Sequence, residues 1–107
     1  PADLIISEGF GRELRLLILE AVANAVRHGQ ASQVKIDLEN DGGRVDLWIR
    51  DNGGGFKECT GYYDHQAIQA ANVAPTSLLK RTIKLGGKLA LESCRSGATL
   101  HFELQDS

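Results

Sequence analysis

The sequence is short of the residues that mark specialised small proteins. It has two cysteines, Cys59 and Cys94. They lie far apart, without the close pairing of a zinc site or the density of a disulfide framework. The expectation is two reduced thiols in a cytosolic protein. Proline occurs twice, methionine is absent, and aromatic residues make up 6%. No apolar run approaches the roughly 18 residues that a membrane-spanning helix needs. Residues 1–6 lack the basic start and long apolar core of a secretory signal. Positive charge is not in excess either. The formal net charge is -2, and the 12 Lys and Arg residues are scattered, which argues against duplex DNA or RNA as the main partner. There is no internal repeat and no low-complexity tract.

What remains is 107 residues, 42% hydrophobic and 24% charged. That composition fits one soluble domain with one modest core. The opening apolar stretch, Leu4-Ile5-Ile6, suggests that residues 1–107 are one domain cut from a longer protein. A cytoplasmic domain with no direct membrane contact is expected, and a longer protein anchored in the inner membrane is compatible with it.

Glycines at 9–11, 42–43, 53–55 and 86–87 punctuate the chain. From Gly11 to His28 it is rich in Leu, Ala, Glu and Arg, and Gly29 is a good helix terminator. Leu14, Leu17, Ile18, Ala21, Val22 and Ala25 fall at helical spacing, which predicts a buried stripe. Val34, Ile36 and Leu38, then Val45, Leu47 and Ile49, alternate with polar residues on either side of Asn40-Asp41-Gly42-Gly43. This pattern predicts a hairpin with one buried face. The stretch from Asp51 to about Asn72 reads as a long polar and Gly-rich loop, with a short helix over 66–71. Pro75 suits a helix start, and that helix ends at Gly86-Gly87. A last hairpin covers Lys88–Ser93 and Thr99–Leu104. The predicted architecture is a two-layer α/β sandwich of the α+β type. Its sheet is mixed and mainly antiparallel, with helices over one face.

Two polar features could carry chemistry. Glu20, Asn24 and His28 recur every four residues and so share one stripe of the first helix. That stripe is either a solvated edge or a site. Asp51-Asn52-Gly53-Gly54-Gly55-Phe56 directly follows a predicted strand. It is either a plain turn or a loop over which a ligand can approach the backbone, with Asp51 as acceptor for an amine.

Taken together and in order, these segments resemble the ATP-binding domains of sensor histidine kinases, within the wider group of gyrase-type, Hsp90-type and MutL-type ATPases. Residues 19–31, Leu19-Glu20-Ala21-Val22-Ala23-Asn24-Ala25-Val26-Arg27-His28-Gly29-Gln30-Ala31, are similar to that family's asparagine box. Residues 50–56 are similar to its first glycine box. Leu85-Gly86-Gly87-Lys88-Leu89 through Ser96-Gly97-Ala98-Thr99 are similar to its C-terminal helix and hairpin. The subgroup most resembled is that of the nitrate and lipid-fluidity sensors.

The resemblance implies ATP and Mg²⁺ as cofactors and the fold of that ATPase group. It implies Asn24 as the side chain whose oxygen holds Mg²⁺ through the ATP phosphates, and Glu20 as its acidic catalytic companion. His28 would lie near the phosphates, or cap the helix end. Asp51 would accept the adenine amino group, Gly53 and Gly55 would let the loop pass close to the purine, and Thr99 would lie near the adenine end. The implied reaction carries the γ-phosphate to a histidine on an upstream dimerisation domain, and from there to a response regulator. Gly61-Tyr62-Tyr63-Asp64-His65-Gln66 would belong to the lid over the nucleotide.

The sequence departs from the family where a second glycine box should precede the last helix. Here the stretch is Asn72-Val73-Ala74-Pro75, followed by Thr76-Ser77. No glycine is left, and Pro75 removes an amide donor. Thr76, Ser77, Lys80 and Arg81 are the side chains available nearby. Two further readings therefore stay open: a non-catalytic interaction module of the same fold with weak or no nucleotide binding, and a serine kinase that restrains a sigma factor.

Overall fold

The computed structural model describes residues 8–27, 30–53, 61–71, 76–94 and 97–105. His28, Gly55, Cys59 and Asn72-Val73-Ala74-Pro75 lie outside the described residues. Three helices and five strands follow in the order α1 (Glu8–Arg27), β1 (Val34–Asp41), β2 (Arg44–Asp51), β3 (Gly61–Tyr63), α2 (His65–Ala71), α3 (Thr76–Lys84), β4 (Lys88–Cys94) and β5 (Gly97–Gln105). The sheet order is β1-β2-β5-β4-β3. Every described pair is antiparallel, so the sheet is not mixed as the sequence suggested. Its two hairpins meet through β2 and β5, and the short β3 adds antiparallel to the β4 edge.

The register sorts the two faces. Val45, Leu47 and Ile49 pair with Leu104, Phe102 and Leu100, which in turn lie beside Leu89 and Leu91. All of these are buried, with Val45, Leu47, Leu89, Leu91 and Phe102 fully so. Each such side chain contributes about 1.5–3 kcal/mol relative to leaving it in water. The helices cover this face with Phe10, Leu14, Leu17 and Ala21 of α1, Ile68 of α2, and Leu78 and Thr82 of α3. The spacing 10, 14, 17, 21 is that of a single helical stripe. Thr82 joins an otherwise apolar core because its hydroxyl donates to the Leu78 carbonyl one turn earlier, at 2.7 Å.

β1 is an edge strand and its inward residues are less covered than expected. Val34 and Leu38 are half-buried, and Ile36 is 44% exposed. The alternation is right, but the helices do not reach over this edge.

The opposite face of the sheet is polar. Trp48 stacks on His101 with ring centroids 4.7 Å apart. Arg44 pairs with Asp46 at 3.2 Å and with Glu103 at 2.9 Å. The Asp46 hydrogen bond, then its charge, then Glu103 hold the Arg44 pKa above its ordinary value. Arg50 and Asp37 form a further cross-strand pair at 2.7 Å.

Residues 61–66, expected in a lid, instead begin an ordered edge. Tyr63 packs on the core, Tyr62 is exposed, and both lie in β3. Asp64 is the N-cap of α2, its carboxylate accepting the Ala67 N–H at 2.8 Å. His65 lies where β3 would next have met Leu89. Its Nδ1 accepts the Leu89 N–H at 3.1 Å, replacing the carbonyl of the strand that has just ended.

α3 closes with paired reverse bonds, Gly86 N–H to Ile83 and Gly87 N–H to Thr82. Gly86 takes φ 71°, the left-handed conformation this helix ending requires. Among the described residues, no helix is long and apolar enough to cross a membrane.

Candidate functional site

The site is assembled at one end of the sheet, where β2 runs out under the C-terminal half of α1. The Asp51 side chain belongs to the helix-facing side of β2, because its cross-strand partner is the buried Ala98. One carboxylate oxygen of Asp51 accepts the Gly53 N–H at 2.9 Å. This tight Asx turn sets the direction of the carboxylate. A carboxylate has capacity beyond one such bond, so Asp51 can still accept from an amine. Gly53 is buried beneath the turn.

The neighbouring Asn52 ties this turn to the segment between α1 and β1. Its side-chain oxygen accepts the N–H groups of Ser32 and Gln33, each at 2.9 Å, and its amide donates to the Ser32 hydroxyl at 2.9 Å. The Asn52 N–H adds a bond to the Gln33 carbonyl at 3.3 Å. One link back, the Ala31 N–H returns to the Ala25 carbonyl at 3.0 Å. Gln30 takes φ 56°, rare for a residue with a side chain. The path from the Ala25 carbonyl through Ala31, Ser32 and Gln33 to Asn52, and the Asp51–Gly53 turn beside it, is thus held by hydrogen bonds.

Gly97 braces the same corner. A Cβ there would run into the Asp51 carbonyl, and Gly97 also has φ 150°. Only glycine lets β5 begin against the end of β2. Gly97 falls between the two predicted strands of the last hairpin, and the sequence alone does not show this close approach. Asn52 was missed as well, because its partners lie 19 and 20 positions away.

Thr99 is where the sequence reading and the structure disagree. It pairs with Arg50 and Glu92, one residue out of phase with the Asp51–Ala98 pair. Its side chain therefore belongs to the polar face, away from Asp51. Position 98 is the one that shares a face with Asp51, and it holds alanine.

Glu20 and Asn24 lie one turn apart on α1, both half-buried. Glu20 does not stand free. It accepts the Ser77 hydroxyl through one oxygen and Arg81 Nε through the other, the latter at 3.4 Å. Arg81 also donates to Glu13 at 3.2 Å. The polar stripe of α1 thus faces α3 at Glu20, close to the α3 N-terminal turn.

A second polar cluster lies on the far face of the sheet. Ligand atoms of Asp46, His101 and Glu103 come within 4.8 Å of one another. Arg44 pairs with both carboxylates, which makes the cluster an ion-pair network. A cleft of about 550 Å³ beside it is lined by Tyr62, Asp64, His65, Lys88, His101 and Glu103 among others. It does not include Asp51, Glu20 or Asn24.

A sandwich with this strand order, an asparagine on the stripe of its first helix and an Asp-Asn-Gly turn stitched to the segment that follows that helix defines a class. The chain belongs to the family of histidine kinase-, DNA gyrase B- and HSP90-like ATPases, which it matches over residues 9–107. Within that family its relatives are sensor kinases. It is 31% identical over 85 residues to the sensor histidine kinase LiaS of Bacillus subtilis, covering 79% of this chain and 22% of LiaS. It is 38% identical over 58 residues to the sensor-type histidine kinase PrrB of Mycobacterium leprae, covering 54% of this chain and 13% of PrrB. The chain therefore spans a small part of the relatives it matches.

The crystal structure of the ATP binding domain of PrrB from Mycobacterium tuberculosis superposes with a TM-score of 0.66. It is 30% identical in sequence, over 90% of this chain and 68% of that one. The blue-light activated histidine kinase of Erythrobacter litoralis EL346 superposes with a TM-score of 0.73, over 98% of this chain and 33% of that one. At 16% identity that match is a likeness of fold.

Proposed function

We propose that residues 1–107 are the catalytic ATP-binding module of a longer sensor histidine kinase. The module works in the cytoplasm and phosphorylates a histidine on a dimerisation domain upstream of it. A response regulator then takes the phosphate from that histidine. The observation that carries this reading is the stitched corner, where Asn52 fastens the segment that follows α1, at Ser32 and Gln33, to the Asp51–Gly53 turn. It brings an amine acceptor and the polar stripe of α1 to the same side of the sheet.

The residues present suit Mg-ATP. Asp51 has acceptor capacity left after its bond to Gly53, which fits the adenine amino group, and the family resemblance assigns Gly53 and Gly55 to the purine side. Asn24 offers one neutral oxygen. That suits Mg²⁺, which keeps waters and takes most of its ligands from phosphates. When bound, Mg-ATP supplies the transferable phosphoryl group and a cation that spreads its charge. The protein's own work is positioning and charge balance. Glu20 is held toward α3 and orients polar groups beside Asn24, and His28 is a further polar candidate for the phosphate end. Thr99 has no part in this reading, since its side chain belongs to the other face.

Calorimetric titration of this chain with Mg²⁺ and a non-hydrolysable ATP analogue tests the proposal. Saturable heat that disappears in Asn24→Ala and in Asp51→Ala supports it. Absence of heat at millimolar nucleotide would favour the non-catalytic interaction module, which the missing second glycine box otherwise motivates.

A further inference from the structure

Arg81 is the side chain beside this site whose role the family resemblance leaves unassigned. It lies well inside α3, yet it reaches two carboxylates of α1 at once: Glu20 from Nε at 3.4 Å and Glu13 from an Nη at 3.2 Å. The Arg81 side chain is 29% exposed and those of Glu13 and Glu20 are each 23% exposed. These groups are partly withdrawn from water, unlike an ordinary surface pair. Ser77, one turn earlier, gives its hydroxyl to the other oxygen of Glu20, and Lys84 meets Glu13 at 3.5 Å.

The contacts form a ladder that fixes direction. As α1 advances from Glu13 to Glu20, α3 retreats from Lys84 to Ser77, so the two helices run antiparallel. Asn24 follows Glu20 by one turn on the same stripe of α1, and in sequence residues 72–75 are the approach to α3. No glycine is available between 72 and 75 to wrap that approach. The docking of α3 on α1 at Glu13 and Glu20 is what holds its first turn in place one helical turn before Asn24.

We propose that Arg81 is a positioning residue of the nucleotide site. Through its bond to Glu20 it fixes the α3 N-terminus relative to Asn24 and offsets the charge of Glu20 beside the phosphates, while its bond to Glu13 anchors the guanidinium further back along α1. A planar guanidinium suits this role, since it holds two acceptors in fixed geometry where an ammonium would act as a point charge. The inference rests on the nucleotide-binding reading above.

The test is calorimetry with Mg²⁺ and a non-hydrolysable ATP analogue on the intact 107-residue chain. The variants are Arg81→Ala, Arg81→Lys and Glu13→Gln, with thermal unfolding followed in parallel. Arg81→Ala should weaken binding by about tenfold, the order of one lost charge-assisted contact. Arg81→Lys should bind more tightly than Arg81→Ala but more weakly than the parent, and if the alanine variant does not fold, its loss relative to the parent is the readout. Glu13→Gln should lower thermal stability but keep affinity within about twofold, because Glu13 is two turns removed from Glu20. If Arg81→Ala binds as the parent does, Arg81 has no positioning role. Equal affinity losses in Arg81→Ala and Glu13→Gln would make the ladder purely structural and overturn the proposal. If the parent chain binds no nucleotide, the functional reading falls and this inference with it. If the parent binds and the Arg81 variants are indistinguishable from it, only the inference falls.

Discussion

The two ends of the candidate site are built by different means. At the Asp51 end, the carboxylate, its turn and the glycine beneath it are consecutive in sequence, and short backbone bonds hold them. At the Glu20 end, nothing is consecutive. Side chains 57 and 61 positions apart meet across two helices, Ser77 and Arg81 with Glu20. The first end is a local turn that a motif can encode, with Ser32, Gln33 and Gly97 bracing it from elsewhere in the chain. The second is tertiary geometry, and it is there that the sequence departs from its family. The corner proposed for the purine thus keeps its local turn, while the end proposed for the phosphates rests on long side chains.

Substitutions sharpen this contrast. The largest effect is expected from Asp51→Ala. It removes a buried-side acceptor together with the brace on Gly53, and should weaken nucleotide binding roughly a hundredfold, as loss of a charged hydrogen-bond partner does; calorimetry reads it directly. Gly97→Ala comes next, because its methyl collides with the Asp51 carbonyl. A cost of about 1–3 kcal/mol is expected from such overpacking, seen as a fall in the thermal midpoint of several degrees. Asn52→Ala should cost on the order of 1–2 kcal/mol for the bonds lost. It should also raise amide exchange at Ser32 and Gln33, whose N–H groups it now holds. Asp64→Ala removes the α2 cap and should cost about 1 kcal/mol with nucleotide affinity unchanged. Thr99→Ala should leave affinity unchanged. A large loss there would mean that the face assigned to position 99 by the strand register is wrong.

Most of the fold was legible because its elements announce themselves locally. The stripe at Leu14, Leu17 and Ala21, the two alternating hairpins and the Gly86-Gly87 helix ending all depend on spacing within a few residues. β3 was not legible: Gly61-Tyr62-Tyr63 is too short to show a period, and becomes a strand only because Ser93, Glu92 and Leu91 lie alongside. His65 was expected in the lid, yet at the start of α2, beside β4, it has a backbone N–H to hold. At the site, Asp51 and the Glu20–Asn24 stripe could be read from residue type and order. The phase of Thr99 could not, since a one-residue offset across β2 and β5 decides its face. Nor could the pairing of Arg81 with α1, which no periodicity within α3 encodes.

The most direct test of the central claim is an amide shift map of the ¹⁵N-labelled chain titrated with Mg²⁺ and a non-hydrolysable ATP analogue. The account predicts that shifts concentrate on Asp51, Asn52 and Gly53 and, in the same titration, on Asn24 and Ser77, with β1 and the polar strand face left quiet. Shifts confined to one of those groups, or none at millimolar nucleotide, would contradict it.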